Sequence, residues 1–233
     1  MVRLRRNGLL YRGWIGACLS KLFPNFIIFH IMKNDNNTSS DQMTSRNRDK
    51  ASFEFYTTPP EATRALLSVE KFTGDIWEPA CGNGAISKVL KASGHIVHST
   101  DLILRGYEDE RLDFLKTTAP LARNIITNPP YGKHGLADAF IRKALTHTAK
   151  TGGKVAMLLN LRSLAHPNRT HKYRKNPPAK IYVLDELTCL PNWKPISKEP
   201  RYPKQQYFWS VWEAGAAEST ELDWLSPNDF NDT

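Results

Sequence analysis

Residues 75–87 read Asp-Ile-Trp-Glu-Pro-Ala-Cys-Gly-Asn-Gly-Ala-Ile-Ser, and this stretch decides the fold. A short apolar run leads into two glycines, Gly82 and Gly84, and a helical pattern begins directly after them. Glycine lets the backbone turn tightly and approach a ligand, and the first turn of a helix carries partial positive charge. The stretch therefore predicts a strand, a ligand-binding loop and a helix in succession.

Strands and helices alternate around this stretch. Runs rich in β-branched and aromatic residues predict strands at Asp75–Glu78, Ile96–Thr100, Asn124–Thr127, Lys154–Leu159, Ile181–Leu184 and Gln206–Trp212. Apolar residues at helical spacing predict helices at Pro60–Glu70, Ala85–Ala92 and Leu136–Ala149. This alternation predicts an α/β fold with a mainly parallel sheet, whose ligand lies beyond the carboxyl ends of the strands.

An acidic residue, Asp101, directly follows the strand predicted at Ile96–Thr100. A carboxylate in this place can accept hydrogen bonds from both hydroxyls of a ribose, although an aspartate that simply faces solvent is the alternative. Together with the glycine loop, Asp101 favours a cofactor that contains a nucleoside.

A second motif follows the strand predicted at Asn124–Thr127, where residues 128–132 read Asn-Pro-Pro-Tyr-Gly. Two prolines end a strand abruptly and make the loop rigid. The side-chain oxygen of Asn128 and the carbonyl of Pro129 can each accept one hydrogen of a planar amino group, and Tyr131 offers a flat face for a base. The motif predicts a site that binds and activates an amine; a proline-kinked surface turn is the alternative.

Taken together, these segments resemble the N6-adenine DNA methyltransferases with an NPPY motif, which belong to the class I S-adenosylmethionine (SAM)-dependent methyltransferases. The resemblance runs from about Phe53 to Trp212. It implies a Rossmann-like fold with a mainly parallel seven-stranded sheet and helices on both faces. It also implies SAM as the cofactor and transfer of a methyl group to the N6 amine of adenine in DNA.

The resemblance also implies roles for individual residues. A Tyr-x-Thr-Pro segment contacts the methionine part of SAM, the glycine loop follows, an acid binds the ribose, and an Asp-Phe pair holds the adenine. The cofactor-binding residues are then Tyr56, Thr58, Pro59, Glu78, Ala80, Gly82, Gly84, Asp101, Asp113 and Phe114. The catalytic residues are Asn128, Pro129, Pro130 and Tyr131.

The charge of the chain favours a nucleic-acid partner. The formal net charge is +9, and residues 139–184 include many lysines and arginines but no acidic residue. A one-sided basic segment suits a polyanion, although a solvated basic surface is the alternative.

Residues 162–175, interpreted as a basic loop with an interleaved tyrosine, are suited to phosphate contact and base stacking. The predicted substrate-binding residues are Arg162, Arg169, Lys172, Tyr173, Arg174 and Trp193. We expect Trp193 to stack the target base against Tyr131, with packing in the core as the alternative for this residue.

The domain organisation is predicted as three segments. Residues 1–50 form an extension that is disordered or does not belong to the protein, with translation starting at Met32 or Met43. Residues 51–214 form the methyltransferase domain and 215–233 an acidic tail. We expect no separate target-recognition domain, so the chain resembles small stand-alone enzymes of phages and prophages. Recognition would then fall to loops at Leu161–Pro178 and Pro191–Pro203.

Other sequence features exclude some classes of protein. Cys18, Cys81 and Cys189 lie far apart, which argues against a disulfide framework or a zinc site and favours the reducing cytoplasm. We assign Cys81 to filling space in the glycine loop and expect no metal. No apolar run reaches the length of a membrane-spanning helix. We expect a monomer that does not associate with membranes.

Three alternative functions stay open at the level of sequence. An RNA methyltransferase that acts on an adenine or guanine amine could use the same loop. Glutamine methyltransferases of translation release factors also contain NPPY, but their glycine loop usually begins Asp-x-Gly. A nucleic-acid-binding protein that keeps the fold without turnover is the third.

Overall fold

The computed structural model describes residues 56–131, 135–185, 187, 190–191, 205–215 and 218–230. The predictions for residues 1–50, for Trp193 and for most of Pro191–Pro203 lie outside these ranges. The described ranges contain four helices: α1 (Pro60–Val69), α2 (Ala85–Ala92), α3 (Leu136–Thr151) and α4 (Pro167–Lys175). The first three follow the predicted apolar periodicity. Short 3₁₀ turns lie at Phe114–Lys116, Leu161–Ala165 and Pro227–Phe230.

Ten strands form two sheets in the described part of the chain. The strands are β1 (Tyr56–Thr57), β2 (Ile76–Glu78), β3 (Val97–Asp101), β4 (Glu110–Arg111), β5 (Asn124–Thr127), β6 (Val155–Asn160), β7 (Lys180–Leu184), β8 (Leu190–Pro191), β9 (Tyr207–Trp212) and β10 (Glu221–Leu225). The large sheet has the order β10-β7-β9-β6-β5-β2-β3-β4, and β1 pairs with β8 in a separate two-stranded sheet. The predicted strand bounds differ from these by a residue or two.

The large sheet is parallel except for β9. This strand runs antiparallel to both of its neighbours, β6 and β7. All six residues of β9 are buried, which includes Trp209 and Trp212, the two tryptophans that the sequence assigned to packing. The predicted fold class, a mainly parallel Rossmann-like sheet, is confirmed, although the sheet has eight strands rather than seven.

Two apolar clusters pack against the two faces of the sheet. One includes Leu66 of α1 and Leu90 of α2. The other includes Phe140 and Ala144 of α3 with Phe114 and Trp77. The Phe114 ring meets the Trp77 ring edge-on at 5.0 Å between centroids. Neighbouring strand residues divide between the clusters, with Ile76 in the first and Trp77 in the second, so the sheet carries helices on both faces.

Two sequence interpretations need correction. The segment interpreted as a basic loop contains α4 and a 3₁₀ turn, because the side chain of Asn160 caps that turn and Pro167 stands at the start of the helix. The predicted acidic tail contains β10, which pairs in parallel with β7 over five residues. There Leu222 and Trp224 alternate with acidic residues, a strand pattern too short to stand out beside the surrounding charges.

Candidate functional site

A cavity of about 370 Å³ lies beyond the carboxyl ends of β2, β3 and β5. The chain proceeds outward from β2 to β3 on one side, and from β5 to β6 on the other. Such a reversal of strand order is where open α/β sheets bind their ligands. The cavity is also large enough for a small-molecule cofactor.

The cavity brings together most of the residues predicted for the cofactor and for catalysis. Its lining includes Tyr56, Thr58, Glu78, Ala80, Gly82, Asp101, Asp113, Phe114, Asn128, Pro129, Pro130 and Tyr131. Pro59 and Gly84 do not line it. Pro59 precedes α1 as its N-cap residue, and Gly84 precedes α2 in the same way.

The glycine loop needs both of its glycines for different reasons. Gly82 and Gly84 have φ angles of +57° and +77°, which residues other than glycine rarely adopt. A Cβ atom on Gly84 would also come within 2.2 Å of the Tyr107 ring. Gly84 therefore supports the loop beneath Tyr107, while Gly82 borders the cavity itself.

Asp101 fixes the glycine loop and also lines the cavity. Its Oδ2 accepts a hydrogen bond from the backbone N–H of Gly82, and its Oδ1 accepts one from Ile103, both at 2.9 Å. A carboxylate offers about four acceptor positions, so two stay available for ligand hydroxyls. Asp113 is placed similarly, because its Oδ1 accepts from Leu115 N at 3.1 Å.

Glu78 lies under the loop and holds the first turn of α2. Its carboxylate accepts from the backbone N–H of Ser87 at 2.8 Å and from the Ser87 hydroxyl, which in turn contacts the Ser99 hydroxyl at 2.7 Å. Burial raises the pKa of Glu78 to about 8, although the Ser87 hydrogen bonds oppose that shift. The carboxyl is therefore mainly protonated near neutral pH.

Cys81 is poorly suited to act as a nucleophile. Burial, assisted by the nearby carboxylates of Glu78 and Asp101, raises the pKa of its thiol to about 12. A thiol with such a pKa holds its proton at any physiological pH, and the thiolate is the reactive form. This agrees with its assignment as a space-filling residue.

The segment Asn128–Tyr131 contains one polar group with unusual surroundings. Asn128 Nδ2 donates to Thr58 Oγ1 at 3.1 Å and to the Tyr56 carbonyl at 3.4 Å. Asn128 Oδ1 is buried and has no hydrogen-bond partner within the described ranges. A buried acceptor without a partner costs roughly 1–3 kcal/mol, so a ligand that donates to it is favoured.

Tyr131 is held at both ends of its side chain. The hydroxyl donates to the Leu158 carbonyl at 2.7 Å, and the ring contacts the Tyr207 ring edge at 6.5 Å between centroids. Because these contacts fix the ring, its orientation at the cavity does not depend on a ligand.

The predicted substrate-binding residues that the structure describes lie outside this cavity. Arg169 and Lys172 both bind the buried carboxylate of Asp138, the latter at 2.5 Å. The Tyr173 ring stacks on Trp212 at 6.3 Å between centroids. These three predicted residues line a second cavity of about 330 Å³ between α3 and α4, whereas Arg162 and Arg174 are exposed.

The residues predicted for substrate binding are therefore not brought together with those predicted for the cofactor and for catalysis. None of Arg162, Arg169, Lys172, Tyr173 and Arg174 lines the cavity of Asn128. Asp138, which binds two of them, stands just before the acid-free segment, so the charge count alone overlooked it.

Sequence reasoning also missed residues that shape the first cavity. Asn83 Nδ2 donates to Thr57 Oγ1 at 3.3 Å and so joins the glycine loop to β1. The position of Asn83 between the two glycines could have indicated this role. Arg105, Leu136 and Phe140 also line the cavity, but no local pattern marks them.

Among the described residues, no group of histidines, cysteines or acids is arranged to hold a metal ion. No helix in the same ranges has the length and apolar character to cross a membrane.

No protein-family model matches the chain, and no curated protein matches it in sequence. Solved structures do match it. One, from Listeria monocytogenes, is described as a class I SAM-dependent methyltransferase; the TM-score is 0.50 at 17% identity, covering 72% of this chain and 65% of that one. Another, from Pyrococcus horikoshii, is described as an RNA methyltransferase; the TM-score is 0.51 at 14% identity, covering 68% and 86%.

A modification subunit assigned to a type I restriction enzyme, from Vibrio vulnificus, matches with a TM-score of 0.47 at 15% identity, covering 78% of this chain and 50% of that one. The chain thus spans 65% and 50% of the first two structures that it matches. The Listeria and Pyrococcus structures establish the fold: this chain has the fold of class I methyltransferases.

Proposed function

We propose that this chain transfers a methyl group from SAM to an exocyclic amine, with the N6 amine of adenine in DNA as the target. The observation that carries the proposal is that Asn128, whose buried Oδ1 has no partner among the described residues, lines the same cavity as Asp101. An acceptor for an amine and an acid suited to a ribose lie in one pocket. That combination fits a reaction between a nucleoside cofactor and an amine.

The cofactor half of the cavity fits SAM. Asp101 has acceptor capacity for ribose hydroxyls, and Asp113 borders the pocket where an adenine amine would donate. Gly82 presents backbone without a side chain, so a ligand can approach closely. SAM, when bound, supplies an electrophilic methyl group on a sulfonium.

The acceptor half of the cavity fits a planar amine. Asn128 Oδ1 and the Pro129 carbonyl would each accept one of its two hydrogens, because Pro129 lines the pocket beside Asn128. With both hydrogens held, the nitrogen lone pair is directed away from the ring and toward an electrophile. Tyr131, whose ring is fixed, would stack on the base, a contact that contributes about 1–3 kcal/mol.

Positioning and directed hydrogen bonds account for the catalysis in this scheme. The amine nitrogen would bond directly to the methyl group as S-adenosylhomocysteine leaves, and it would then release one proton to solvent. No covalent enzyme intermediate is needed in this scheme, and Cys81 keeps its proton. Holding two reactants in line can lower the activation free energy by roughly 7–11 kcal/mol. The rigid Pro129–Pro130 loop and the anchored Tyr131 ring are the groups that supply this order.

A duplex hides adenine N6, so a base must leave the stack or come from a single strand, at a cost of a few kcal/mol. Exposed Arg162 and Arg174 would neutralise flanking phosphates. Trp193 is proposed to stack on the far face of the base.

The test is parallel transfer of tritiated methyl groups from SAM to unmethylated plasmid DNA, total RNA and a protein extract, followed by nucleoside and amino-acid analysis. We expect label as N6-methyladenine in the DNA sample. Label confined to RNA would replace DNA by RNA as the substrate, and label on glutamine would assign the amine to protein. SAM binding without transfer to any of the three would refute the enzymatic function.

A further inference from the structure

The orientation of the Asn128 amide decides whether its site can accept an amine. Rotating the terminal amide by half a turn exchanges the oxygen for an NH2 group, and that torsion is intrinsically soft. An NH2 group facing the cavity would oppose the hydrogens of a target amine. Some neighbouring group must therefore select one orientation.

On the β1 side, the Tyr56 carbonyl makes that selection and the Thr58 hydroxyl holds the amide in the selected orientation. The Tyr56 carbonyl can only accept, and it lies 3.4 Å from Asn128 Nδ2. The Thr58 hydroxyl lies closer, at 3.1 Å, and its residue is only 3% exposed. With the NH2 group directed at these two atoms, the amide oxygen is left on the opposite side, where it is buried without a partner in the described part of the chain.

The backbone holds Thr58 firmly in this place. Pro59 and Pro60 follow it, and the Pro59 carbonyl accepts from Ala62 N at 3.1 Å as α1 begins. On the other side, β1 is paired with β8 through Tyr56 and Thr57. The Thr57 hydroxyl accepts from Asn83 instead, so the two adjacent threonines serve different loops.

We propose that Thr58 is a positioning residue whose hydroxyl accepts from the Asn128 amide and holds it in the orientation that the Tyr56 carbonyl selects, with Oδ1 toward the acceptor amine. The family resemblance assigns Thr58 to the methionine part of SAM, whereas the geometry directs its hydroxyl to Asn128. This inference rests on the proposed methyl transfer, and it adds a group that maintains the polarity of the acceptor site.

The test compares Thr58→Val, Thr58→Ser and the control Thr63→Val. Valine keeps the shape of threonine without the hydroxyl, and serine keeps the hydroxyl. Thr63 is also fully buried, but its hydroxyl has no partner among the described residues. For Thr58→Val we expect kcat for methylation of unmethylated plasmid DNA to fall about 3- to 10-fold, as for one neutral hydrogen bond. KM and the Kd of SAM, measured by calorimetry, should stay within about twofold.

Thr58→Ser should restore most of the kcat, and Thr63→Val should retain it. A Thr58→Val variant with unchanged kcat, or with a raised Kd for SAM as its main defect, would overturn the positioning role. The second result would return Thr58 to cofactor contact.

A readout without turnover separates this inference from the proposed function. In protein labelled with ¹⁵N-asparagine, the Asn128 side-chain NH2 protons, assigned through Asn128→Asp, should exchange with water at least about 3-fold faster in Thr58→Val than in the wild type or Thr58→Ser. Equal exchange rates would contradict the hydrogen bond even if the wild type methylates nothing. Faster exchange in Thr58→Val, combined with a wild type that methylates nothing, would keep the contact and reject the reaction.

Discussion

At the scale of single residues, the site depends on a few polar atoms with unusual surroundings. Within the described ranges Asn128 Oδ1 has no hydrogen-bond partner, Asp101 accepts from two backbone amides and keeps spare capacity, and Glu78 is buried. Removing any of them has a distinct expected consequence, because each has a different contact set.

Replacing Asn128 by alanine should lower kcat by at least ~10²-fold, which is the typical loss for one well-aimed polar group in an active site. The Kd of SAM should stay within a few-fold, because Asn128 belongs to the acceptor half of the cavity. Single-turnover transfer to plasmid DNA with calorimetric SAM binding measures both. Near-wild-type turnover in this variant would remove Asn128 from the mechanism.

Glu78 should give the protein a pH-dependent stability. Burial raises its pKa to about 8 from the ordinary value of 4.5, so between these values the native state holds a proton that the unfolded state releases. Stability contributed by this group therefore falls as pH rises from about 4.5 to about 8, at most by about 1.4 kcal/mol per pH unit.

Glu78→Gln should flatten that part of the curve, because glutamine has no proton to lose. Urea unfolding between pH 5 and pH 9 gives the comparison, and Glu110→Gln, an exposed position in β4, is the matched control. Parallel curves for the wild type and Glu78→Gln would show that Glu78 keeps an ordinary pKa.

At the scale of elements, one buried carboxylate joins two helices. Asp138 in α3 binds both Arg169 and Lys172 of α4. Burial alone would raise the pKa of Asp138, but the Lys172 hydrogen bond and the charge of Arg169 outweigh it and lower the pKa. The two cations are thus used mainly to hold α4 in place.

Asp138→Asn should lower the free energy of unfolding by about 1–3 kcal/mol, less than for a fully buried pair, because Lys172 is partly exposed. The lowered pKa means that the contribution is present above the ordinary value of 3.8 and disappears as pH falls through the native pKa. Urea unfolding at pH 7 and pH 3 measures both. Lys116→Gln, which removes a lysine 85% exposed, should have little effect at either pH.

The exposed arginines of the same region should behave differently on nucleic acid. Arg162→Ala and Arg174→Ala should each reduce the slope of log Kd against log salt by about 1, as expected for one lost phosphate contact. Arg169→Ala should mainly lower stability, since Asp138 already binds Arg169. Fluorescence anisotropy with labelled duplex DNA at several salt concentrations distinguishes these variants; identical slopes for all of them would exclude this face from binding.

At the scale of the whole molecule, the C-terminal segment completes the sheet and covers α1. β10 extends the sheet beside β7, and Arg64 of α1 donates to the Phe230 carbonyl at 2.9 Å. Deleting residues 216–233 should lower Tm by about 5–10 °C, the range expected when a few kcal/mol are lost from a protein of this size. Glu218→Gln, a change at an exposed residue of the same segment, should leave Tm unchanged in the same calorimetric scan. An unchanged Tm in the longer deletion would make β10 dispensable.

How far the sequence predicts this molecule depends on the range over which each signal acts. The strand before Gly82, helix α2 and the Asn128 loop were predicted because their patterns are local and backbone-driven. Strand β10 and helix α4 were missed. Strand β10 depends on pairing with β7, and helix α4 depends on an ion pair with Asp138. Thr58 was assigned from resemblance alone, and only the fold revealed that its hydroxyl meets Asn128.

The pairing of β1 with β8 has a consequence for how the protein is made. Tyr56 bridges Pro191, so the segment that orients Asn128 gains its strand partner only from residues translated much later. Closing so long a loop costs conformational entropy, and the contacts between β1 and β8 offset this cost only late in folding. A chain still on the ribosome, with β6 emerged but β8 not yet made, therefore carries the glycine loop and the NPPY motif without the finished site. Under the proposed function, methyl transfer should therefore begin only near the end of synthesis.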